Sequence, residues 1–259
     1  MAINADMTHF SYDFCHPIKR YSLPDQYKEI SGLSPLGSNN TLAFVQDEAV
    51  QIHLFDLNSG TVTEHAKHDD GDCEDIVVTG ETAYLLKAGK QPAIYKVAHF
   101  NSKDAHFERY DLDLHKDQDP EGLCHDIPRN RLLIACKGAC RKRDRTRGIY
   151  AFNLQSMQMD SSPLFAIDSR DFLDGAEDTF NPSGLAIHPQ SELLYIIGSK
   201  GEKMIVCYGL DGHFKEALKL DKNQFLQPEG ITFMPSGELV ISSEGKKGKD
   251  AAIMIFSGQ

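Results

Sequence analysis

The chain has 259 residues and is acidic, with 27 Lys and Arg against 38 Asp and Glu for a net charge of −11. That balance excludes general nucleic-acid binding, which needs a basic footprint on phosphate. A composition of 41% hydrophobic and 25% charged residues excludes a disordered chain.

Residues 1–15 read as an extended or disordered arm. They lack a basic segment followed by an apolar one, so no export signal is read, and the chain as given is expected to be cytoplasmic. No apolar run approaches the ~18–20 residues that span a bilayer. A lone strand-like run follows near Ile18–Leu23. Five related segments come next: Ile30-Ser31-Gly32-Leu33, Cys73-Glu74-Asp75-Ile76, Pro120-Glu121-Gly122-Leu123, Pro182-Ser183-Gly184-Leu185 and Pro228-Glu229-Gly230-Ile231. Their third positions are spaced by 43, 47, 62 and 46 residues. Each opens a series of β-branched or aromatic runs of strand length, broken by turn residues such as Asn58-Ser59-Gly60 and Asp211-Gly212. No 12-residue stretch holds helical periodicity; short helical turns are expected at 168–173 and 221–226.

Four strands per ~45-residue unit is the signature of a β-propeller blade. The last unit yields three runs before the chain ends, and the N-terminal run supplies the fourth. The expectation is an all-β, five-bladed propeller of one domain over 1–259, closed by its N-terminal strand. The 62-residue spacing holds two insertions, 137–147 and 168–180, and leaves a six-bladed ring as the alternative. The absence of Trp weighs against a tryptophan-aspartate repeat propeller.

The first strand of a blade lines the central channel, so Ser31, Glu74, Glu121, Ser183 and Glu229 are expected to face the axis. Three carboxylates in one narrow channel repel each other in low dielectric. They take up protons or hold a cation, and oxygen donors without His or Cys suit Ca2+. Glycine follows four of these residues and permits close backbone approach. Asp75 stands at the fifth such position, as a second acid beside the axis. The six cysteines form no CxxC pair, and Cys136 and Cys140 lack a partner His pair, so they read as core thiols. His53, His65, His125 and His188 read as structural or surface residues.

The segments Glu29-Ile30-Ser31-Gly32-Leu33, Asp119-Pro120-Glu121-Gly122-Leu123 and Gln227-Pro228-Glu229-Gly230-Ile231, the last followed by Ser242-Ser243-Glu244, resemble the SdiA-regulated family of bacterial propeller proteins. The resemblance runs from about Arg20 to the C-terminus. It implies calcium binding and no assigned activity, and it makes export or a membrane anchor the alternative location. The axial order Ser, Glu, Glu, Ser, Glu is also similar to that of the calcium-activated nucleotidases, or apyrases. That likeness implies an axial calcium site on Ser31, Glu74, Glu121, Ser183 and Glu229, and it does not carry hydrolytic activity with it.

The loops between second and third strands of blades two to five emerge beside these residues. They hold 13 of the 27 basic residues against four acids, a net of +9 that leaves −20 on the rest of the chain. Such a rim suits a small anionic ligand. Lys87, Lys137 and Lys200 follow directly after their second strands and are expected nearest the axis. Asp47, Glu48 and Glu244 are the candidate general bases or further metal ligands. The reading is a calcium-binding, monomeric propeller that binds a ligand or partner. Its alternative is a Ca2+-dependent phosphohydrolase, nucleotidase- or phytase-like.

Overall fold

The computed structural model describes residues 10–37, 40–65, 67–139, 145–175 and 179–258. They form five antiparallel sheets around one axis, a five-bladed propeller. Blade 1 is built from Ile30–Pro35, Thr41–Gln46, Ala49–Asp56 and Val62–Glu64, and blade 2 from Cys73–Thr79, Thr82–Lys87, Ala93–Ala98 and His106–Asp111. Blade 3 runs Pro120–Asp126, Arg131–Ala139, Thr146–Asn153 and Gln158–Met159, and blade 4 Phe180–Ile187, Leu194–Gly201, Met204–Tyr208 and Phe214–Lys219. Blade 5 has Pro228–Phe233, Leu239–Ser243 and Ala252–Phe256, and its outer strand is Lys19–Ser22 from the other end of the chain. That strand pairs Lys19 with Ile255 and Ser22 with Ala252. The closure covers an edge that would otherwise be open to strand addition.

The 62-residue spacing does not conceal a sixth blade. Ahead of the second insertion a further short strand, Phe165–Asp168, pairs with Thr146–Asn153 beside Gln158–Met159 and so belongs to blade 3. Helical structure among the described residues is limited to short 3-10 turns, one of them Ser169–Asp171 where a turn was expected. At 221–226 the chain makes a hydrogen-bonded turn, with Gln224 and Phe225 donating to Asp221 O.

Strands alternate their side chains between two faces, and each face packs on a neighbouring blade. The core therefore divides into five clusters, one per blade junction. Ile76 with Ala43 and Val45 fills the junction of blades 1 and 2, and Leu33 with Val240 fills that of blades 5 and 1. Residues 10–15 are seated on the junction of blades 4 and 5. There Phe10, Tyr12 and Phe14 are buried, Tyr12 donates to Gly237 O (2.7 Å), and Phe14 O accepts from Gln224 (2.8 Å).

Candidate functional site

Each of the five repeated segments carries a break in strand register. It lies between Ile30 and Leu33, Cys73 and Asp75, Pro120 and Gly122, Pro182 and Gly184, and Pro228 and Ile231. A bulge turns one residue out of the pleat and tightens the twist. Here it occurs once per blade at the residue expected to face the axis. Ser31, Glu121, Ser183 and Glu229 are all buried, and Glu74 is nearly so.

The glycine that follows lets the inner strands close on one another. A Cβ on Gly184 would lie 2.5 Å from Glu229 O, and one on Gly230 would lie 2.6 Å from Ser31 O. One on Gly32 would overlap the Asp75 side chain at 1.8 Å. At the junction of blades 2 and 3 the place of glycine is taken by Asp75. Its carboxylate accepts from Ile76 N (2.8 Å) and reaches across to Leu123 N (2.6 Å). Asp75 is thus a brace between inner strands. Burial pushes its carboxyl well above the usual range, against the two N–H donors.

One cation stands among the axial acids. Lys137 Nζ lies 2.8 Å from Glu121 Oε1, and the charges of Glu229 and Glu74 also reach it. Two local features place it. Its N–H donates to Asp119 O (2.7 Å), and Gly138 passes so close to the preceding loop that a Cβ would sit 1.8 Å from Asp117 O. Burial works against the ammonium, but the Glu121 carboxylate overcomes it, so Lys137 stays charged well beyond the usual lysine range.

One ammonium does not satisfy these acids. Burial pushes Glu121 up to about 8, with Glu229 adding and Lys137 opposing. Glu74 is driven well above the usual range by burial and then by the charge of Glu121. Glu229 is raised by burial, while Lys137 and hydrogen bonds from Ser199 and Gln227 hold it down. Ser183 donates its hydroxyl to Pro228 O (2.8 Å), tying blade 4 to blade 5.

Two of the candidate bases belong to the same mouth. Glu244 accepts from Gln227 and is pushed to about 8 by burial, with Glu229 and Asp47 contributing. Asp47 is pushed to about 6 by burial and by its neighbour Glu29, and its Oδ1 is buried without a partner. Glu48 is exposed on the loop beyond.

The lysines expected nearest the axis separate. Lys137 is there. Lys87 is turned away from it into the junction of blades 1 and 2, bound to Asp69 Oδ2 (2.7 Å) and Asp70 O (2.8 Å). The cause is parity: Lys87 falls on the same strand face as Leu85, which fills that junction. Lys200 is exposed. Lys203 donates to Phe225 O (3.0 Å) and to Leu226 O. Arg141, Lys142, Arg143 and Asp144 of the rim, with Cys140, lie outside the described residues. The mouth is therefore acidic at its centre, with several of its cations bound to the protein itself. Gln227, Ser199 and Glu29 were not anticipated as part of it; only the position of Gln227 directly before Pro228-Glu229 hinted at a role.

The axial acids offer oxygen donors and excess negative charge, which fits a hard cation. Among the described residues, however, no three His, Cys, Asp or Glu side chains already converge on a metal-sized point.

A family model of SdiA-regulated proteins matches residues 9–247. The chain belongs to the SdiA-regulated family. No curated protein is similar enough in sequence to count as a relative. Solved structures match in fold across nearly the whole chain. The glutaminyl cyclase of Myxococcus xanthus is 11% identical, with a TM-score of 0.64, over 94% of this chain and 97% of that one. The PQQ-bound aldose sugar dehydrogenase of Streptomyces coelicolor is 13% identical (TM-score 0.58; 94% and 98% covered). A gluconolactonase of Xanthomonas campestris is 13% identical (TM-score 0.54; 95% and 86% covered). At these identities the likeness is one of fold. No helix among the described residues is long and apolar enough to cross a membrane.

Proposed function

We propose that this SdiA-regulated propeller binds a hard divalent cation, calcium by donor type, at its axial mouth, and that the cation-loaded mouth serves to bind a ligand or partner. The observation that carries the reading is the charge imbalance. Glu74, Glu121 and Glu244 are raised by burial and by neighbouring carboxylates, and Glu229 by burial, around the ammonium of Lys137. Glu74, Glu121 and Glu229 would hold the ion. Ser31 and Ser183 lie beside them, and the Ser183 oxygen keeps lone pairs after donating its proton to Pro228. A bound cation would neutralise the buried carboxylates and lock five blades at one point. It would also release Lys137 from Glu121.

A Ca2+-dependent phosphohydrolase is the weaker second reading. Phosphate recognition needs free cationic side chains. Lys87, one of the three lysines expected to meet an anion, is bound to Asp69.

Titration calorimetry of the chelator-treated protein tests the site. Saturable binding of one Ca2+ is expected, lost in the Glu121→Gln, Glu229→Gln double variant. A melting curve for that variant shows whether it is folded. Absence of Ca2+ binding to the folded wild type contradicts the proposal. Turnover of nucleotides, phytate or simple phosphoesters that stops with chelator would favour the second reading.

A further inference from the structure

The other end of the channel is built differently. Past the axial acids each inner strand contributes one aliphatic residue, Leu33, Ile76, Leu123, Leu185 and Ile231, and these line one wall of a cavity of about 480 Å³. All five are buried. They separate the cavity from the acids by a ring of hydrocarbon. The volume falls in the ~300–1,000 Å³ range of small-molecule sites. At the rim Ile127 is 72% exposed, a large apolar side chain left in water beside the opening.

The Asp126 carboxylate and one imidazole of the wall are committed. Asp126 is held by Arg129 (3.1 Å) and Arg131 (2.8 Å). His188 accepts from Ser191 N (3.1 Å) on one ring nitrogen and meets Tyr12 Oη (3.1 Å) with the other. His125 keeps a buried Nε2 without a partner, and it is shut off from the cavity. Burial pushes the His125 pKa down, so the ring is neutral near pH 7. An anion entering the cavity would find Arg129 as the one cation among the described lining residues, already bound to Asp126. A cation would find Glu192, exposed at the edge, and Asp126, already held by two arginines.

The geometry points to a second binding site here, for an uncharged, largely apolar small molecule held against the aliphatic wall. It lies at the opposite mouth from the axial acids and does not depend on the cation.

The probe is the neutral dye N-phenyl-1-naphthylamine, whose fluorescence rises in apolar surroundings. The wild type contains no Trp to interfere. One saturable site is expected, displaced by 2-naphthol at least tenfold better than by 2-naphthoate, and unchanged by chelator. Thr232→Trp fills the cavity from blade 5 and should abolish binding without lowering the melting temperature; Thr79→Trp does the same from blade 2 if the first variant fails to fold. Absence of saturable binding, equal competition by 2-naphthoate, or full binding in a folded filled variant overturns the proposal.

Discussion

Lys137 is the residue on which the axial mouth turns. Removing one partner of a buried ion pair leaves the other uncompensated, at a cost of about 3–5 kcal/mol. Lys137→Met is therefore expected to lose about 3 kcal/mol in denaturant unfolding at pH 8, where Glu121 ionises, and much less at pH 5, where it is protonated. Equal stability of variant and wild type at pH 8 would show that the ammonium does not hold the site. Asp75 carries a second residue-level prediction. Asparagine there would set an NH2 group against one of two N–H donors, so Asp75→Asn should cost about 1–3 kcal/mol in the same assay. The axial identities of Glu121 and Glu229 were legible because the same short segment recurs. The role of Lys137 was not. A lysine after a strand looks the same whether it meets solvent or a carboxylate, and only the tight pass of Gly138 under Asp117 decides between them.

At the scale of the element, the repeated segment is a bulge with a glycine behind it. Overpacking against backbone is expected to cost about 1–3 kcal/mol. Gly184→Ala meets a carbonyl, Glu229 O, and should sit at the upper end of that range. Gly122→Ala first meets Leu185 Cδ2 at 2.7 Å, the movable end of a side chain, and should cost less. A reversed order in denaturant unfolding would mean that inner-strand spacing is not what the glycines serve. Strand positions were readable from β-branched and aromatic runs. The bulges were not, because Pro-Glu-Gly reads equally as a turn; strand pairing across the blade reveals them. The direction of Lys87 was lost for a related reason. Position after a strand gives its height along the channel, and only the parity of the strand gives its side.

For the whole molecule, ring closure is the decisive device. Among the described residues Lys19–Ser22 alone covers the edge of Ala252–Phe256. Removing residues 1–22 should therefore expose that strand and yield aggregation or a lowered, non-cooperative melt. A monomeric truncation with a wild-type melt would contradict the role given to closure. The blade count was legible from three C-terminal runs plus one N-terminal run. The seating of residues 10–15 was not, because Phe10, Tyr12 and Phe14 are seated against blades 4 and 5, some 200 residues away. The charge field was read correctly as a sum and incompletely as a pattern. Several rim lysines are tied inward, and the centre of the mouth is acidic.

The most direct measurement of the central claim is the melting temperature from pH 5 to 8.5, with chelator and with Ca2+. Glu121 and Glu244 are both raised from the ordinary 4.5 to about 8. The folded protein thus keeps protons that the unfolded chain releases near pH 4–5. The stability from this uptake is present in full below that range and lost as pH rises through about 8. With chelator the melting temperature should fall steadily across this window. With Ca2+ it should fall less, so that the two curves meet near pH 5 and diverge toward pH 8.5. Two superimposed curves would contradict a cation site on the axial carboxylates.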